Sequence, residues 1–105
     1  MHVIDVPASL DYRALDALLD STVPAPGKGQ GLFDARHVRW VDPCGMLALL
    51  AAGTRVGAHG GEPPHLQLPD QTDVLGYLAR MGFFTAAEGV FDMNVRAPRR
   101  TASGE

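Results

Sequence analysis

Cysteine occurs once in the chain, at Cys44. An internal disulfide is therefore excluded, and the composition suits a reducing cytoplasm. Long apolar runs are missing too: none approaches the roughly 18 residues that span a bilayer. Met1-His2-Val3-Ile4-Asp5 has neither a basic segment nor a long apolar core, so a signal peptide is not expected. Net charge is small, formally -3. A nucleic-acid binder usually carries a basic face, so nucleic acid is not expected as a partner. With 105 residues, 46% of them hydrophobic, the chain can bury one modest core as one domain.

What is present alternates between strand and helix patterns. His2 to Val6 alternates apolar and polar side chains, as a half-buried or edge strand does. Ser9 can cap a helix over about Leu10 to Leu19, with Leu15, Leu18 and Leu19 inward and Asp11, Arg13, Asp16 and Asp20 toward water. Pro24 to Gly31 is loop by composition. Leu32 to Ala35 and Val38 to Val41 read either as one strand with an irregular middle or as a strand with a short return.

The most informative stretch follows. In Val41-Asp42-Pro43-Cys44-Gly45-Met46 an apolar strand enters a helix through a four-residue turn. Asp42 suits the N-cap, since its carboxylate can accept from amides of the first turn. Pro43 falls at the first helical position, where a missing N–H does no harm. Cys44 and Gly45 then lie near the positive end of the helix dipole. Met46, Leu49, Leu50 and Gly53 share a stripe, with Leu47 and Thr54 beside it, and Val56-Gly57 and Gly60-Gly61 mark the helix end. A glycine at position 53 implies close packing against a neighbour. After Pro63-Pro64, His65 to Pro69 reads as a strand. A further helix begins near Thr72, with Val74, Leu75, Leu78 and Met81 on its inner stripe, and Gly82 stops it. Phe83-Phe84 is an apolar latch, and Phe91 and Val95 can add a short strand. Residues 1–95 form the domain and Arg96 to Glu105 a polar, mobile tail. The order implies an α/β fold: a mixed, mostly parallel sheet of about four strands, packed with about three helices.

The segment from Leu32 to Phe84, about half the chain, resembles a STAS domain, the fold of bacterial anti-sigma factor antagonists. That family runs through a strand, a capped Asp-Ser-Ser-Gly turn, a leucine-rich helix, a Gly-Gly turn, an apolar strand, and a helix ending in a Gly-hydrophobic pair. Here the parts read Leu32-Phe33-Asp34, Val38 to Val41, Asp42-Pro43-Cys44-Gly45, Met46 to Leu50, Gly60-Gly61-Glu62, Leu66-Gln67-Leu68 and Leu75 to Phe83. In the antagonists the second serine of the turn is phosphorylated by a partner kinase. Cys44 stands there and Pro43 replaces the first serine, so the usual phosphoswitch is not expected. The Asp42-Pro43-Cys44-Gly45 turn and the Tyr77 to Phe83 ending are also similar to STAS-like segments that precede or accompany histidine-kinase-type ATPase domains, which this chain is too short to contain. The resemblance implies a non-enzymatic, cytoplasmic binding module. Its partner would be a kinase-like ATPase or anti-sigma factor, docked on Asp42, Pro43, Cys44, Gly45 and Met46, with no cofactor and no membrane insertion.

Three other readings compete. Exposed amides at the helix start attract anions, which suits a nucleotide or small-anion sensor. A STAS-like subunit of a transporter complex is another. The third is a thiol enzyme: the dipole favours a Cys44 thiolate, but catalysis needs a base, and no spaced Cys/His motif supplies one. A small apolar residue filling the turn suits Cys44 as well as a recognition role does, and both suit it better than catalysis. His2, His37, His59 and His65 lack metal-ligand spacing. Gly57 to Gly61 follows a helix and lacks the lysine of a phosphate loop. Asp34 reads as a strand-end residue and Asp42 as a cap, in preference to a Mg²⁺ pair. Arg96, Arg99 and Arg100 read as a solubilising tail. Trp40 reads as core, the alternative being an apolar recognition patch beside Cys44.

Overall fold

A computed structural model describes residues 2–22 and 30–93 of the chain. Three strands form the main sheet: β1 (His2–Asp5), β3 (Gly31–Asp34) and β5 (His65–Gln67), in the order β1-β3-β5. Between β1 and β3 in the chain lie β2 (Ser9–Leu10) and helix α1 (Ala14–Thr22). Ile4 pairs with Phe33, and Phe33 with Leu66, both in parallel. These three side chains are buried and run across the centre of the sheet. On β1 the alternation works as the pattern predicts, with Ile4 and Val6 buried and Val3 and Asp5 exposed. β3, flanked on both sides, buries Gly31, Phe33 and Asp34 and half-buries Leu32, close to the pattern of a central parallel strand.

A second, two-stranded parallel sheet pairs β2 with β4 (Trp40–Val41), Ser9 opposite Trp40 and Leu10 opposite Val41. Thus the two apolar pieces hold separate strands, β3 and β4, in different sheets. The turn after β3 explains the break. Asp34 Oδ1 accepts from the Arg36 N–H at 3.1 Å and from Arg36 Nε at 3.0 Å, and Arg36 Nη2 donates to Asp34 Oδ2 at 3.0 Å. The chain is clipped out of extended geometry at that point, and Val38 N–H then donates to the Ala35 carbonyl.

The same device corrects the first helix. Ser9 is a strand residue and caps nothing; α1 starts at Ala14. Asp11, expected to face water, is 8% exposed. Its carboxylate accepts from the Arg13 backbone N–H at 3.0 Å and from Arg13 Nη2 at 2.7 Å. Pairing with β4 holds Ser9 and Leu10 extended, so helix begins only after the Asp11 turn. On α1, Ala14 and Leu18 are the buried pair, whereas Leu15 is 40% exposed.

Helix α2 (Pro43–Gly60) is stopped by Gly61 at φ 80°, whose N–H donates to the Gly57 carbonyl at 2.9 Å. It packs against α1 and β3, and its Ala48, Leu49 and Ala52 are buried in the core. A Cβ built on Gly53 would overlap the Phe91 ring. Phe91 meets Phe33 edge-on, with centroids 5.4 Å apart. The glycine thus admits an aromatic pair of a kind that contributes about 0.5–1.5 kcal/mol beyond area burial.

Helix α3 (Thr72–Arg80) buries Val74 and Leu78, while Met81, placed on the inner stripe from sequence, is 44% exposed. Gly82, at φ 79°, turns the chain into a fourth helix, α4 (Phe83–Ala87). The expected latch is this helix, with Phe83 buried on one side. Asp92 makes a parallel bridge to His65. The fold is α/β, as the element pattern predicts. Among the described residues it has four helices, and every strand pairing is parallel. No helix among them is long and apolar enough to cross a membrane. Most of the loop expected before β3, together with Val95 and the tail 96–105, lies outside the described residues.

Candidate functional site

The start of α2 is held from three directions. Asp42 has extended backbone, φ -126° and ψ 174°, and its Oδ1 accepts the Gly45 N–H at 2.8 Å. Its carbonyl accepts the Met46 N–H at 2.9 Å, and its own N–H donates to the Leu10 carbonyl at 3.1 Å. Pro43 occupies the first helical position. The turn is therefore capped, started and tied to β2 by one residue. Gly45 is buried against β2: a Cβ there would overlap the Leu10 carbonyl.

This geometry divides the five expected docking residues. Pro43 and Cys44 are exposed. Asp42 is half-buried and engaged in the cap. Gly45 permits a close approach, but the approaching group is the chain's own strand. Met46 is 8% exposed and belongs to the core, so it cannot supply the contact surface assigned to it. The helix turns Met46 inward to meet the sheet and leaves Leu47, 62% exposed, in solvent. Leu47 lies three residues after Cys44 and shares its face, a spacing legible in the sequence.

Two further apolar side chains were not assigned to the surface from sequence. Tyr12 is 71% exposed in the turn after β2, with the Arg13 guanidinium 5.9 Å from its ring centroid. Trp40, read as core, is 59% exposed. Residues 38 and 39 are not strand, so Val38, fully buried, and Trp40 do not share a face. On β4 itself Val41 points inward and Trp40 outward.

The remaining charged candidates are engaged structurally. The Arg36 guanidinium beside Asp34 holds that carboxyl below its ordinary value, and Arg13 does the same for Asp11. Asp34 is thus occupied by Arg36 and Asp42 by the Gly45 amide. His65 Nδ1 lies 3.4 Å from Asp92 Oδ2, and His59 Nδ1 lies 2.9 Å from the Arg55 carbonyl. No protein-family model, curated protein or solved structure matches the chain.

Proposed function

We propose that this protein is a non-enzymatic regulatory binding module of the STAS type. It docks on a histidine-kinase-type ATPase or an anti-sigma factor in the cytoplasm, through the start of α2. The observation that carries the reading is a fixed helix start with apolar side chains in solvent: Pro43 and Cys44, then Leu47 one turn on. Such residues on a rigid element lose little conformational freedom when a partner covers them. Gly45 and Met46 act beneath that surface, holding the helix to β2 and to the core. With cysteine at position 44, binding is not switched by serine phosphorylation of this turn.

The test is a pull-down with the tagged chain from its native lysate, with and without ATP, compared across wild type, Cys44→Arg and Leu47→Glu. Recovery of such an ATPase or anti-sigma factor by wild type, lost in both variants with unchanged far-UV circular dichroism, is the expected result. Equal recovery by all three removes this surface from the interface.

A further inference from the structure

The largest side chain that the described fold leaves in solvent, Trp40, stands at a groove of about 320 Å³ between β4 and α3. Arg39, Trp40 and Val41 form one wall, and Asp73, Tyr77 and Arg80 part of the other. Backbone direction matters here. Trp40 N–H donates to the Ala8 carbonyl at 3.2 Å and Asp42 N–H to the Leu10 carbonyl at 3.1 Å, so both turn toward β2. Alternation along the strand turns the Val41 N–H and carbonyl to the opposite edge. Among the described residues no strand pairs with that edge.

The charges in the groove are ordered. Asp73 sits in the first turn of α3 and Arg80 in the last. They are seven positions apart, about 10 Å along the helix axis. That length accepts about three residues of extended chain. Arg39 and Arg80 have no ion pair among the described residues, in contrast to Arg13 and Arg36. Cations with no carboxylate of their own therefore flank an exposed aromatic and a strand edge that no described strand pairs, whose residue Val41 is 7% exposed and lines the groove, and Asp73 is the single opposing charge in the lining.

We propose that this groove binds an extended acidic peptide segment. The segment adds to the free edge of β4 at Val41, lays an apolar side chain between Trp40 and Tyr77, and sets carboxylates on Arg39 and Arg80. Aromatic side chains beside arginines also suit a nucleotide, but a nucleotide offers no row of carboxylates to span Arg39 and Arg80, and its response is an outcome of the test. The surface is distinct from the docking face at the start of α2, since it uses none of Pro43, Cys44 or Leu47.

The experiment is a titration of the ¹⁵N-labelled full chain, followed by amide and indole NMR signals. The probe is a synthetic peptide with a central leucine flanked by three glutamates on each side, and a matched peptide carries glutamines instead. The glutamate peptide should shift the Val41 amide and the Trp40 indole, and should bind about tenfold more tightly than the glutamine peptide, the size of one or two charge-assisted contacts. Arg80→Gln and Trp40→Ala, both changes of exposed residues, should each weaken it by about tenfold. Several outcomes overturn the proposal: no shift at millimolar peptide, equal binding of the glutamine peptide, or shifts confined to residues 43–47. So does a response of the same signals to ATP but not to peptide. A change of those signals on diluting the protein alone would make a second copy the occupant and would overturn it too.

Discussion

Gly45, in the first turn of α2, lies directly against the backbone carbonyl of Leu10 in β2, with no room for a side chain between them. This contact joins the two-stranded sheet to the helix that presents the candidate docking surface. Gly45→Ala would force helix and strand apart, and the clash is with backbone, which cannot rotate away. We expect a loss of about 2–4 kcal/mol, at or above the usual range for overpacking, in urea unfolding followed by circular dichroism. A variant within about 0.5 kcal/mol of wild type, the scale of a neutral surface change, would mean that the contact is not present.

The cap is separable from that contact. Asp42→Ala removes the acceptor for the Gly45 N–H while leaving backbone packing unaltered. A loss of about 0.5–2 kcal/mol is expected, with Asp42→Asn recovering most of it. Equal losses for alanine and asparagine would argue that the carboxylate does something other than cap.

Acid should weaken the protein through its two Asp–Arg clips. Asp34 and Asp11 have folded pKa values below the ordinary 3.8, held there chiefly by Arg36 and Arg13. Each clip stabilises the fold fully above that ordinary value, and the benefit fades as pH falls through the lower folded value. Asp34→Asn should therefore be less stable than wild type at neutral pH, with the gap closing as the solution is acidified. Because the Arg36 side chain is half exposed, solvent screening keeps the neutral-pH gap modest. Unfolding curves of both proteins across an acid series would test this; a gap independent of pH would contradict it.

Gly53 and Phe91 should behave as a coupled pair. Gly53→Ala alone is expected to cost about 1–3 kcal/mol, because the buried Phe91 ring occupies the space a methyl group needs. In a Phe91→Leu background the added methyl meets a shorter side chain, and its penalty should shrink by about 1 kcal/mol or more. A double-mutant cycle measured by urea unfolding reads this directly. Additive penalties would show that ring and glycine do not share the space.

Local signals carried a large part of this fold. Asp42, Pro43 and Gly61 mark both ends of α2 through bonds made within a few residues, so the start of the candidate site was legible without coordinates. Gly53 as a packing position and Gly82 as a stop were legible for the same reason. Leu47 was legible in part: it lies three residues after Cys44 and beside the stripe of Met46, Leu49, Leu50 and Gly53, but only packing shows that the side it occupies faces solvent.

Other features depended on partners far along the chain. Ser9 and Leu10 have the composition of a helix start, yet pairing with Trp40 and Val41 holds them as strand. Asp11 looks like a solvated charge until the Arg13 guanidinium folds back on it. Trp40 looks like core because tryptophan is apolar and large, but a two-residue strand buries only one side, and Val41 takes it. Sequence by itself determined both ends of α2, the stop of α3 at Gly82 and the α/β order, because caps, turns and periodicity act over one or two turns of chain. Only the tertiary structure decided which face of each element meets water, because burial belongs to the packing partner as much as to the residue.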